Sequence, residues 1–517
     1  MSALSAFRLL VLLLISAASG RGADLRVLHF SSFEPDFVHK SIKATLTQTW
    51  EVQAGDTFSL FLKAPLRITQ IVLPPEGLSA EERGEQRIFT ALTSGRFSLT
   101  LQYEGVPQAA VNPPWDGGTI WRSDPQGKPW LTVACQDVGA HVWWPAPAAY
   151  SQEADTTQFT AIYPANLFFK GNGRLLNDRV EADRRTTTWL CTYPINLYNI
   201  TVNIGDYVKQ QEWLKRKDGS RLKIEYYPLR VNARAAAKQF KQTIPMLRCF
   251  EQFFGEYPCS RDGFSVVETP YPGMEHQGAI AYGNGYVDGY GGEDYSGVGL
   301  WFDFILIHET AHEWWGNSVT AATAYDFWMQ EAFCTYAEMV YVRCRFGAGA
   351  ADKYIAAKRR FIQNKAPMYG LAHDIDCYAK GALMLHTLSR FYVSEDAWLK
   401  ELGAFARSMK HKSLNTTQLV QWFRDRNPAI PAAFFDQYLK KASPPQLKWT
   451  VTADGPNLAV DYLVSNALEG FELPLKINTT EGPKFIKAGA QAKRLILPAG
   501  SNPKPDPDYS YWISIPE

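Results

Sequence analysis

His308-Glu309-Thr310-Ala311-His312-Glu313-Trp314-Trp315-Gly316-Asn317 is the stretch on which the reading of this chain turns. It opens with H-E-x-x-H. On an α-helix, residues i and i+4 lie about 40° apart around the axis, so His308 and His312 share a face. Two imidazoles on one face can chelate Zn²⁺. Glu309 sits one residue along, close enough to act on a metal-held water without binding the metal itself. A helix with two ordinary histidines spells the same motif, so supporting features are needed. An open zinc site requires a third protein ligand. Glu331 follows His312 after 18 residues, inside Trp328-Met329-Gln330-Glu331-Ala332-Phe333, a gap that allows a turn and a second helix packed on the first. Glu338 lies seven residues further on, nearly two helical turns, on the same face as Glu331. A carboxylate there could hold the far nitrogen of a zinc-bound histidine.

This constellation resembles the gluzincin metallopeptidases, and specifically the M1 aminopeptidase family. The family's H-E-x-x-H-x-W-x-G-N is matched by 308–317, and its W-x-x-E-[GA]-F by 328–333. The resemblance makes His308, His312 and Glu331 the ligands of one zinc ion and Glu309 the general base, with Glu338 and Asn317 supporting the ligands. Gly273-Met274-Glu275-His276-Gln277, preceded by Pro270-Tyr271-Pro272, is similar to the G-x-M-E-N exopeptidase motif. The register differs: the residue between Gly and Met is absent, or Pro272 fills the first place, and His276 replaces Asn. By resemblance Glu275 grips a substrate's free α-ammonium through a charge-assisted hydrogen bond, with Gly273 and Met274 beside it. Tyr378-Ala379-Lys380-Gly381 looks like the family's Y-x-K-G helix, which implies that Tyr378 stabilises the tetrahedral oxyanion. A phenol with a pKa of about 10 is a proton donor at neutral pH, as that role requires. Cys135-Gln136, followed by Trp143-Trp144-Pro145, resembles the N-domain segment from which a glutamine reaches the substrate, so Gln136 joins the candidates.

Outward from these motifs, the chain separates by pattern. Its 517 residues suggest about three domains at roughly 100–200 residues each. Ile42, Ala44, Leu46, Trp50 and Val52 alternate with polar residues, as one-face-buried strands do, and Phe97-Leu99-Leu101-Tyr103 repeats the pattern. Near Asn232, which can cap a helix beginning around Ala233, the apolar period becomes helical and stays so to about Ser443, with a strand candidate at Phe264–Glu268. After Pro444-Pro445, Leu447-Trp449-Val451 and Leu473-Leu475-Ile477 alternate again. The expected architecture is multidomain α+β. It comprises a β saddle at 21–232, a thermolysin-like, mostly helical catalytic domain at 233–443 and a small β-sandwich at 444–517. The saddle and sandwich names come from the family.

Lys and Arg total 53 against 52 Asp and Glu, with no basic stripe, which excludes a nucleic-acid binder driven by phosphate neutralisation. Residues 1–20 read as a signal peptide. Arg8 precedes an apolar run from Leu9, too short for a spanning helix, and Ala18-Ser19-Gly20 offers a small-residue cleavage site. Export to the periplasm or the extracellular space follows. Seven cysteines without C-x-x-C spacing argue against a thiolate zinc cluster, and the odd count leaves at least one thiol free or paired between chains.

The implied activity is removal of the N-terminal residue from peptides with free N-termini, through a metal-activated water. A zinc endopeptidase or relaxed-specificity peptidase is a second reading. The altered exopeptidase motif motivates it, as does the chain's end at Glu517, which leaves no room for the helical C-terminal domain many members add. A non-catalytic peptide-binding relic is a third, opposed by the presence of Glu309, Tyr378 and all three ligand positions.

Overall fold

The computed structural model describes residues 23–74, 76–147, 152–370 and 375–514; residues 1–20, where a signal peptide is expected, lie outside them. The chain divides into two compact units. One comprises the residues up to Ile244 together with Pro258–Val287, the other Pro245–Tyr257 with Asp288 onward.

The first unit is β-rich. Its largest sheet has seven strands, with Asp24–Asp36 at the centre between the antiparallel Ser41–Val52 and the parallel Thr156–Pro164. Strand Ser41–Val52 buries alternate residues from Ile42 to Val52, the pattern its sequence dictates. Trp50 pairs across to Phe97 and Leu46 to Leu101. Gln48, on the buried side, is satisfied by giving Nε2 to the Pro145 carbonyl (2.7 Å) and accepting from Trp50 Nε1 (3.1 Å). A five-stranded sheet follows. Arg221–Tyr227, Phe264–Glu268 and Ile280–Tyr282 run parallel, and the two-residue strand Gly273–Met274 pairs antiparallel at the edge.

The helix expected to begin around Ala233 is broken. Helix α1 (Ala233–Gln239) passes through a 3₁₀ turn into α2 (Thr243–Phe254). Pro245 has no backbone N–H to bond the preceding turn, so it fits only at the start of a new helix. Asn232 stands at the helix start, but its side chain does not cap; Nδ2 donates to Glu268 Oε1 at 2.6 Å.

The second unit is mostly helical to Leu439. It contains α3 (Phe304–Ala311), α4 (Trp328–Phe346), α5 (Ala348–Ala357), α6 (Asp376–Ser389), α7 (Glu395–Ser408), α8 (Thr416–Arg426) and α9 (Phe434–Leu439). Helices α2 and α4 are joined by the Cys249–Cys344 disulfide; the other five cysteines are buried thiols. From Gln446 the chain forms a four-stranded and a three-stranded sheet. Among the described residues, no helix is long and apolar enough to cross a membrane.

Candidate active site

Helix α3 begins at Asp303, whose carboxylate accepts from the Leu306 N–H at 3.1 Å. Every residue from Ile305 to Ala311 is buried, so the helix is held on all sides and its histidines are fixed in direction. His308 and His312 turn their Nε2 atoms toward Glu331 of α4, at 3.3 and 3.6 Å from Oε2. One ligand atom from each of the three lies within 4.8 Å of the others. Glu331 Oε2 is buried and accepts no hydrogen bond. Burial opposes charging of Glu331, but the facing imidazoles of His312 and His308 hold its carboxyl below the usual range.

The opposite ring nitrogens are already engaged. His308 Nδ1 meets Glu338 Oε1 at 2.7 Å, and His312 Nδ1 meets the Trp315 carbonyl at 3.0 Å. A hydrogen donated from each Nδ1 would leave both Nε2 atoms able to hold a metal ion. Glu338 is itself fully buried. Its Oε2 accepts from Tyr354 Oη (2.7 Å) and Lys358 Nζ (2.5 Å). Burial works against its ionisation, but Lys358 and His308 keep its carboxyl below the ordinary value. The chain turns sharply after α3: the Asn317 N–H bonds the His312 carbonyl at 2.9 Å. Gly316 lies at φ +134, where a Cβ would sit 2.9 Å from Gln330 Nε2 and 3.2 Å from His312 Nδ1.

Tyr378 lies in the first turn of α6, and its ring stacks on His308 with centroids 6.0 Å apart. The lysine and glycine that follow explain how it gets there. Gly381 lies so close to α4 that a Cβ would be 2.6 Å from Ala332 Cβ, and Lys380 Nζ is tied to the carbonyls of Lys441 and Ala442 at 3.1 and 2.6 Å. Glu309 is buried beside these groups on α3.

The remaining candidates belong to the first unit. Gly273 and Met274 form the edge strand, and Glu275 follows it directly, 3 % exposed. Its Oε1 accepts from Tyr198 Oη (3.1 Å) and from Gln136 Nε2. Both donors are neutral, so they orient the carboxylate without cancelling its charge. The segment turns at Gly278 (φ +62), with the Ala279 N–H on the His276 carbonyl at 2.9 Å. Asn172 Nδ2 holds the Gln277 carbonyl (2.9 Å), and Lys170 Nζ holds that of Gly278 (3.2 Å). Lys170 is fully buried over the Trp189 ring, 3.9 Å from its centroid, and burial pushes its ammonium down to about 7. His276 is also fully buried, with neither ring nitrogen hydrogen-bonded, and burial pushes it down to about 3, so the imidazole is neutral.

Sequence reasoning did not find Tyr198, Tyr354, Lys358 or Lys170. Their partners at the candidate site, Glu275, Glu338 and the Gly278 carbonyl, lie 16 to 108 residues away, and no local spacing marks them. Phe304 was within reach: it stands four residues before His308 on the same face, and its ring stacks on His308 at 5.5 Å.

Comparison with known proteins agrees with this geometry. Residues 238–438 match the model of the Peptidase family M1 domain. Human endoplasmic reticulum aminopeptidase 2 is 21 % identical over 327 residues, 60 % of this chain and 32 % of that protein. Mouse aminopeptidase B is 24 % identical over 287 residues, 50 % of this chain and 42 % of that protein. The chain thus spans less than half the length of these curated relatives. The M1 zinc metallopeptidase from Deinococcus radiodurans superposes with a TM-score of 0.69 at 18 % identity, covering 82 % of this chain and 95 % of that one. That likeness shows a shared fold with a β-rich N-terminal domain and a helical domain after it. The matched region, residues 238–438, spans both histidines, Glu331 and Tyr378, so the candidate site lies within the part of the chain that is similar to the Peptidase family M1 domain.

Proposed function

We propose that this chain is a zinc-dependent aminopeptidase that removes the N-terminal residue from peptides. The observation that carries the reading is the convergence of His308 Nε2, His312 Nε2 and Glu331 Oε2, with both Nδ1 atoms already engaged. Two imidazole nitrogens and a carboxylate oxygen suit Zn²⁺, and three protein ligands leave a position open. When bound, zinc supplies Lewis-acid polarisation of the scissile carbonyl and of water.

The chain's own side chains do the rest. Glu309 takes a proton from the attacking water and returns it to the leaving amine. Tyr378, held against His308, donates its phenolic hydrogen to the developing oxyanion. Glu338 and the Trp315 carbonyl fix the tautomer of the two ligand histidines. Glu275, oriented by Gln136 and Tyr198, binds the substrate's α-ammonium, which makes the first peptide bond the one that is cut. Peptides with free N-termini are the substrates in this reading. The leader at 1–20 supports export to the periplasm or outside the cell, and the two sheets after Gln446 support a small β-sandwich.

A panel of fluorogenic aminoacyl amides, assayed with and without a chelator, tests this. Turnover is expected, lost on chelation and restored by Zn²⁺, with N-acetylated peptides left uncut. Equal cleavage of acetylated and free peptides overturns the aminopeptidase reading in favour of an endopeptidase. That second reading draws on His276, which stands where the exopeptidase motif has asparagine.

A further inference from the structure

The two sheets after Gln446 are linked by a crossing segment. Lys504–Pro505 pairs with the three-stranded sheet at Ile477 and Asn478, and Ile513–Ser514 with the four-stranded sheet at Gln446 and Leu447. Between them, Ser510, Tyr511 and Trp512 are buried. A buried backbone needs its hydrogen bonds satisfied, and here side chains of the helical part supply them. The Tyr511 N–H bonds Thr387 Oγ1 of α6 at 2.9 Å, and Tyr438 Oη of α9 donates to the Tyr511 carbonyl at 2.7 Å. Arg390, just past α6, gives Nε to the Tyr509 carbonyl at 3.0 Å. Arg359 makes the most bonds of all. Its Nη1 donates to the Trp512 carbonyl (3.0 Å), and its Nη2 to those of Ser510 (2.6 Å) and Pro507.

Arg359 stands in the 3₁₀ turn Lys358–Phe361, and residues 358–364 reach two sides of the candidate site. On one side, Lys358 Nζ bonds Glu338, which meets Nδ1 of the candidate ligand His308. On the other, the Gln363 and Asn364 N–H groups bond the two carboxylate oxygens of Asp376, each at 2.7 Å. Asp376 is the first residue of α6, two before Tyr378. Asn364 also gives Nδ2 to Tyr511 Oη of the crossing segment at 3.2 Å. A 3₁₀ turn is short and poorly bonded within itself, so its direction comes from its attachments. Removing the guanidinium deprives three carbonyls of this donor and releases the turn that carries Lys358.

We propose that Arg359 is a positioning residue that sets both His308 and Tyr378, by fastening the 358–364 segment to the crossing segment at 507–512. This rests on the peptidase reading above and adds to it a role for the late sheets, which hold the segment that Arg359 grips. The path is short on both sides. Arg359 adjoins Lys358, which acts on His308 through Glu338; Gln363 and Asn364 act on Tyr378 through Asp376. Arg390 supplies the contrast. It bonds the same crossing segment, but from the end of α6 remote from Tyr378.

The test compares Arg359→Met with Arg390→Met in the zinc-loaded full chain. Both are expected to lower the urea midpoint. Only Arg359→Met should lower kcat on aminoacyl amides, by about 10- to 100-fold with KM within about twofold of wild type, because the bound substrate meets a displaced proton donor. Only Arg359→Met should lose zinc to a chelator about 3- to 10-fold more readily, because the Glu338–His308 pair is loosened. Arg359→Lys keeps the charge but not the planar fork, and should recover kcat to about a third of wild type. Wild-type kcat and zinc retention in Arg359→Met, or equal losses in Arg390→Met, overturns the proposal and leaves a plain structural staple. Should Arg359→Met not fold, Arg359→Lys carries the comparison, and a wild-type kcat there overturns it. Zinc competition needs no turnover. In a protein that cuts no peptide, selective zinc loss by Arg359→Met upholds the positioning and overturns the peptidase reading.

Discussion

His308 and Glu331 stand on two helices that are buried along most of their length, whereas Glu275 stands between a two-residue edge strand and a glycine turn. The two regions reach rigidity by different means. In the candidate metal-ligand region, regular backbone sets direction, and the side chains behind it, Glu338, Lys358 and Tyr354, finish the work. In the Glu275 region the backbone has little regular hydrogen bonding, and buried side chains of an adjacent strand segment supply it instead: Asn172 and Lys170 bond the carbonyls of Gln277 and Gly278. A helix can be fixed by neighbours of any apolar shape. A loop needs specific donors, so its stability is concentrated in a few groups.

The contrast can be broken by substitution, beginning with the largest effect. Glu309→Gln should lower kcat by about 10²- to 10⁴-fold on every substrate while zinc content, measured by atomic emission, stays at the wild-type level. Loss of zinc in parallel would mean that Glu309 helps to hold the ion. Glu338→Gln should weaken zinc retention by about 10- to 100-fold in chelator competition, because the His308 tautomer loses its anionic partner. Glu275→Gln should cost about 1.5–3 kcal/mol, or roughly 10- to 100-fold in kcat/KM, on peptides with a free N-terminus. Its zinc affinity should match wild type, and an effect on both properties would erase the distinction between the two regions.

The smallest effect is a slope. Lys170 is held down to about 7 by burial, against about 10.4 for an ordinary lysine. Between those values the unfolded chain binds the extra proton, so stability rises with pH, by at most about 1.4 kcal/mol per unit. Below about pH 7 the ammonium is charged in both states and its burial penalty is carried in full. Lys170→Met should remove this rise between about pH 7 and pH 10, as followed by urea midpoints. Identical slopes in both proteins would show that the loop anchor does not titrate in this range.

The same contrast governs what could be read from the sequence. Helix α3 and its ligand spacing were legible because a helix maps sequence distance onto direction. Strand Phe264–Glu268 was legible for the same kind of reason, as an apolar run bounded by turns. Asn232 shows the limit. It occupies a helix start, but a glutamate 36 residues away wins its amide, and Pro245 divides the helix that was expected to continue. The pairing of Cys249 with Cys344, across 95 residues, and the Lys358–Glu338 ion pair depend on tertiary approach alone. His276 was visible as a departure from the motif, but its complete burial was not.

The near-contact of Gly381 with Ala332 has a consequence for descent. One residue sits three positions after Tyr378 and the other immediately after Glu331, the candidate ligand. A methyl group gained at 381 has nowhere to go unless one is given up at 332, so the two codons are not free to drift independently. In a lineage of this protein they should change as a pair, small for small, and a sequence that enlarges both has given up the alignment of Tyr378 with Glu331.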